Sequence, residues 1–105
     1  MRTLIKLEIP AEAGNAAIKD GSLQRTLERI MVDLQPEAAY FGTMHGNRGG
    51  FLVVDLPDVS DMPRVAEPLF ELGATVEMSP AMTGEDLAAG LEKLGAAQAA
   101  AQTVR

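Results

Sequence analysis

Over residues 3–9 (TLIKLEI), Ile5, Leu7 and Ile9 fall on one side of an extended chain and Leu4, Lys6 and Glu8 on the other. That alternation predicts a half-buried strand, closed by Pro10. The spacing then changes. Residues 14–20 are polar and Ala-rich and open a helix early only if Gly21 lies inside it. Gly21-Ser22 offers an N-cap, and Leu23, Leu27, Ile30, Met31 and Leu34 recur at helical intervals until Pro36, which predicts a helix over 22–34. Residues 38–45 (AAYFGTMH) and 50–56 (GFLVVDL) read as two strands joined by a turn at Gly46-Asn47-Arg48-Gly49.

A second helix starts near Ser60. It carries Met62, Val65, Ala66, Leu69 and Leu72 on one face and stops at Gly73. Pro63 suits its first turn; Pro68 has no amide to donate and predicts a kink or a split. Residues 74–79 (ATVEMS) form a fourth strand. Thr83-Gly84-Glu85-Asp86 has the form of a capping box for a last helix bearing Leu87, Leu91 and Leu94. Residues 1–94 then make one domain, and 95–105 an Ala/Gln-rich tail, read as frayed helix or disorder.

The order strand, helix, strand, strand, helix, strand describes two split βαβ units. It predicts an α+β, ferredoxin-like βαββαβ sandwich with a four-stranded antiparallel sheet in order 4-1-3-2 and an added C-terminal helix. Both main helices cover one sheet face, against Ile5, Leu7, Ile9, Leu52, Val54, Leu56, Val76 and Met78. A turn of two or four residues places Tyr40 across from Asp55, Gly42 from Val53 and Met44 from Phe51. The second face then collects Leu4, Lys6, Glu8, Tyr40, Met44, Phe51, Val53, Asp55, Thr75 and Glu77. It is too apolar for a wet surface and too charged for a dry core. Such a mixture suits a partly covered face, and the simplest cover is the same face of a second copy about a two-fold axis.

Composition narrows the function classes. The net charge of −6 and the lack of a basic cluster argue against nucleic acid and against an anionic membrane. With no cysteine there is no disulfide, thiolate nucleophile or Cys-based zinc site. Neither a signal peptide nor a run of about 20 apolar residues is present, so the cytoplasm is the expected location.

The candidate chemistry is sparse. His45, the single histidine, cannot build a multi-histidine metal site; it reads either as a general acid or base or as an exposed strand end. Lys6, Glu8, Tyr40, Asp55 and Glu77 share the second face. They read as a proton-transfer set, with Lys6 steadying an oxyanion and Tyr40 donating a hydrogen bond, or as a salt-bridge network between subunits. The three acids offer a hard cation no recognised loop. Gly46–Gly50 reads as a hairpin turn, or as a backbone cradle for an anion.

The element order and mixed second face resemble the dimeric α+β barrel superfamily. The segments PAEAGNAAIKDGSL (10–23), PEAAYFGTMHGNRGGFLVVDLPD (36–58) and AEPLFELGATVEMSPAMTGEDL (66–87) resemble a group of small uncharacterised bacterial proteins. The resemblance implies a homodimer closed through the sheet face. Its relatives range over cofactor-free monooxygenases, muconolactone isomerases, haem-handling proteins and non-enzymatic regulators. The chain lacks the Trp common in the monooxygenases, and His45 is the one residue able to serve as a haem ligand. No catalytic residue is carried over. The expectation is a small homodimeric protein binding a small organic molecule in a barrel pocket, without a bound cofactor and without catalysis. The alternatives are a cofactor-free isomerase or monooxygenase-like enzyme, and a purely structural assembly module.

Overall fold

The computed structural model describes residues 1–103 of the chain. Nine segments follow in order: β1 (Arg2–Ile9), α1 (Ala11–Lys19), α2 (Ser22–Leu34), β2 (Ala38–Met44), β3 (Asn47–Asp55), a 3₁₀ turn (Val59–Asp61), α3 (Met62–Glu71), β4 (Thr75–Pro80) and α4 (Gly84–Thr103). The four strands form one antiparallel sheet in the order β2-β3-β1-β4, the expected ferredoxin-like arrangement.

Residues 14–20 do not extend α2 backwards. They belong to a separate α1, because Gly21 adopts φ +80° and breaks the helical path between the two. The turn between β2 and β3 is also shorter than expected. Met44 pairs with Asn47, leaving only His45-Gly46 as the loop, with φ values of +52° and +78°. Two successive positive φ values are the signature of a type I′ hairpin, whose twist matches that of the strands. Asn47, Arg48 and Gly49 are therefore ladder residues, and the register moves by four. Tyr40 faces Phe51 rather than Asp55, Gly42 faces Gly49 rather than Val53, and Met44 faces Asn47 rather than Phe51. An even shift leaves each side chain on its expected face.

The core lies between the sheet and α1–α3. Ile5, Leu52, Val54, Val65 and Leu69 are essentially sealed, and Leu7, Ile9, Ile30, Leu56 and Leu72 pack around them. Burial of each large apolar side chain contributes on the order of 1.5–3 kcal/mol. α3 runs unbroken through Pro68, so the helix is not split there. Pro68 has no amide to donate to the carbonyl of Arg64 one turn earlier, and Arg64 is an exposed residue. β3 is tied to α1 by Arg48, whose guanidinium donates to the Asn15 side-chain oxygen at 2.9 Å over Gly14. A Cβ at Gly14 would stand 2.5 Å from that guanidinium.

α4 is unlike the other helices. Thr83 and Asp86 cap it reciprocally, as the sequence foretold: Thr83 N donates to Asp86 at 2.9 Å and Asp86 N to the Thr83 hydroxyl at 3.1 Å. It then continues as a helix through Gly95 to Thr103, where a frayed or disordered tail was expected; residues 104–105 lie outside the described region. Gly84–Gln102 are exposed throughout, and the helix projects from a body that is 28 by 21 Å across, stretching the molecule to 64 Å.

Candidate functional site

The ladder registers set the second sheet face out in transverse rows. One row runs Tyr40, Phe51, Lys6, Glu77 across all four strands. It is aromatic on the β2–β3 side and charged on the β1–β4 side. Lys6 Nζ lies 3.8 Å from Glu77 Oε2 and 5.9 Å from the centroid of the Phe51 ring. The next row is Gly42, Gly49, Glu8, Thr75, so on the hairpin side Glu8 is bordered by residues without side chains. On the other flank lie Ala38, Val53, Leu4 and Ser79.

His45 reaches this face because its left-handed conformation turns the chain back over β3. Its Nδ1 lies 2.7 Å from Glu8 Oε1, so the ring nitrogen donates to the carboxylate. The two members differ in setting: the imidazole is 83% exposed and the carboxylate 24%. A carboxylate bonded to one ring nitrogen fixes the ring and leaves Nε2 to exchange a proton with whatever lies above.

The six sequence candidates thus divide into two pairs and two single residues. Glu8 joins His45, and Lys6 joins Glu77 one row away. Tyr40 stands at the edge beside Phe51, largely exposed. Asp55 is drawn off to the sheet end, where it accepts from the Met1 amine at 2.8 Å; that bond holds its carboxyl below the usual range. Beside it Arg2 donates to Glu37 at 2.5 Å, and this lowers the Glu37 carboxyl in turn. Glu8, Asp55 and Glu77 do not form a cation cage, and among the described residues no group of three His, Cys, Asp or Glu is placed to hold a metal. At the hairpin, the Asn47 side chain accepts from Ala11 N at 3.2 Å and Arg48 is engaged with α1.

A groove on the helix side was not among the expectations drawn from the sequence. β2 is an edge strand that the helix layer does not fully cover, and a space of about 700 Å³ opens there along α2. It is lined by Ile18, Leu23, Leu27, Met31, Val32 and Phe41. The available signal was parity, since Phe41 alternates with Tyr40 and must point toward the helices. Among the described residues no helix is long and apolar enough to cross a membrane.

No protein-family model matches the chain, and no curated protein matches it either.

Proposed function

We propose that the chain acts as a homodimer of the dimeric α+β barrel kind, in which the second sheet face of one copy is roofed by that of another and a small organic molecule binds between them. The observation that carries this reading is the row Tyr40–Phe51–Lys6–Glu77. A wetted face has no use for a half-exposed Phe51 at its centre, flanked by Leu4 and Val53. A roofed face would use the aromatic half to hold an apolar ring or chain and the Lys6 ammonium to orient a polar group. Binding without a bound cofactor is the principal reading.

The Glu8–His45 pair favours a second, enzymatic version, in which the histidine shuttles a proton on an enolisable ligand while Lys6 steadies the oxyanion. A cofactor-free isomerase has this form.

Native mass spectrometry of the purified protein tests the proposal. It is expected to report a dimer, with added mass from a small molecule retained at low activation energy. A bare monomer at tens of micromolar overturns it.

A further inference from the structure

β2 lies at one margin of the sheet, and the hairpin fixes which of its backbone groups look outward. A two-residue type I′ loop makes the residues that flank it, Met44 and Asn47, a hydrogen-bonded pair. By alternation Gly42, Tyr40 and Ala38 also bond to β3. Ala39, Phe41 and Thr43 then direct their N–H and C=O groups away from the sheet. Among the described residues these outward groups meet no backbone partner.

The margin carries none of the devices that blunt an edge strand. Its seven residues, AAYFGTM, include no charge and no proline, and they pair with β3 without a bulge. The opposite margin is different. Ala81 N donates to the Arg2 carbonyl, so the odd residues of β4 face β1 and the even ones look outward. Pro80 is one of these, and it has no N–H to offer an added strand.

We propose that the β2 strands of two copies of this chain pair antiparallel about a two-fold axis through Phe41, normal to the sheet, and join two four-stranded sheets into one. Of the possible registers, the one centred on Phe41 engages all three outward residues. Phe41 bonds to Phe41 of the second copy, and Ala39 bonds to Thr43 in both senses. The side chains agree with that register. Tyr40 falls opposite Gly42 of the second copy, where the ring has room: a Cβ on Gly42 would find no heavy atom within 4 Å. On the helix side Phe41, 54% exposed, meets its own counterpart. No like charges meet along the seam.

The same contrast between margins selects a second β2 as the occupant. Pairing of β2 with β4 would run into Pro80 and would leave a free β2 to add copies without end. The two-fold pairing uses up both open margins and closes at two copies. It takes the margin of the sheet and leaves the second face untouched, so it does not rest on the roofed dimer and is compatible with it.

Amide hydrogen exchange on the purified full-length chain, followed by NMR at about 1 mM, reads the contact residue by residue. Tyr40, Gly42 and Met44 donate to β3 in any assembly and serve as the internal reference. The amides of Ala39, Phe41 and Thr43 are expected to exchange at least about 100-fold more slowly than an open backbone. A roofed sheet face alone leaves these three amides open to water. Their free exchange therefore overturns the proposal, whether or not the protein is dimeric. Thr43→Pro is the matching variant. It removes one outward N–H and no bond to β3, because Thr43 and Arg48 face each other as a non-bonded pair. Two bonds per dimer are lost, and self-association is expected to weaken about 30-fold by sedimentation. Unchanged association of Thr43→Pro, with Phe51→Ala disruptive, rejects the edge contact and leaves the sheet-face dimer standing. The reverse pattern supports the edge contact and rejects the sheet face.

Discussion

Replacing Phe51 by Ala is the most direct probe of the roofed sheet. A phenylalanine buries roughly 200 Å² when enclosed, and 40% of this one is left outside the protomer, so about 80 Å² remains for a partner to cover. At about 25 cal/mol per Å² that area is worth about 2 kcal/mol. A two-fold axis places two copies of the residue in the interface, for a total near 4 kcal/mol, or approaching 1,000-fold in the dimer dissociation constant. Association converts area to affinity with losses, so the expected effect is a weakening of at least about 30-fold. The measurement is sedimentation equilibrium over a concentration series, taken well below the melting transition. Phe51 also packs within its own sheet, so the variant melts at a lower temperature. Only the concentration dependence reports the interface. Equal dimer constants for the two proteins would refute the reasoning, because no roof could lie over the middle of the sheet without touching this ring.

Three further outcomes follow from the same geometry. Leu52→Ala removes a side chain sealed between Ile5 and Ala39 on the helix face; a loss of about 2–5 kcal/mol is expected in urea unfolding, with a drop in melting temperature well beyond 10 °C. His45→Asn keeps a residue that tolerates positive φ at the hairpin and deletes the imidazole, so stability should change by no more than about 0.5 kcal/mol while retention of a small molecule in native mass spectra falls. Asp86 is held below its ordinary range, first by the backbone hydrogen bond from Thr83 and then by the Thr83 hydroxyl contact. Its contribution to the α4 cap is therefore complete above the unfolded aspartate range and lost as pH falls through the lower folded value. The far-UV helical signal should drop in that acidic window, and Asp86→Asn should lack the step.

The fold was legible wherever a single period dominated. Ile5, Leu7 and Ile9 alternate without interruption, and α2 was delimited correctly because Gly21 and Pro36 bracket an unbroken helical stripe. The hairpin register was misread because Gly46-Asn47-Arg48-Gly49 is rich in turn formers, and composition gave His45 no claim to a left-handed conformation. The strand ladder overrode local preference there, since Asn47 and Arg48 gain partners on α1 by staying extended. For the site, strand parity brought Lys6, Glu8 and Glu77 to one face, but not the order along it. That Asp55 would be captured at the sheet end, and that His45 would fold back onto Glu8, depends on the tight turn and on the Met1 amine. Neither carries a periodic signal. The projecting course of α4 was equally invisible, because the Ala-rich residues after Gly95 are as compatible with a continued helix as with a tail.

The arrangement of charge on the second face bears on whether covering it is physically reasonable. Moving an unpaired ion out of water costs several kcal/mol, enough to cancel the gain from the apolar residues around it. Each charged side chain of this face already has a partner within its own protomer: Lys6 with Glu77, Glu8 with His45, Asp55 with the Met1 amine and Arg2 with Glu37. As exposed pairs these add little to folding. In the proposed dimer their effect would be on association, because an identical partner need supply no counter-charge and brings no unmatched one. In that dimer the neutral strip of Ala38, Val53, Leu4 and Ser79, together with Phe51, would supply the attraction. The same logic says where a ligand of the proposed dimer would sit. Of the two pairs in the middle of the sheet, Lys6–Glu77 is the looser at 3.8 Å, whereas Glu8–His45 is closed at 2.7 Å. A polar group entering between two such sheets meets least competition at the Lys6 ammonium, one row from the histidine that would exchange its proton.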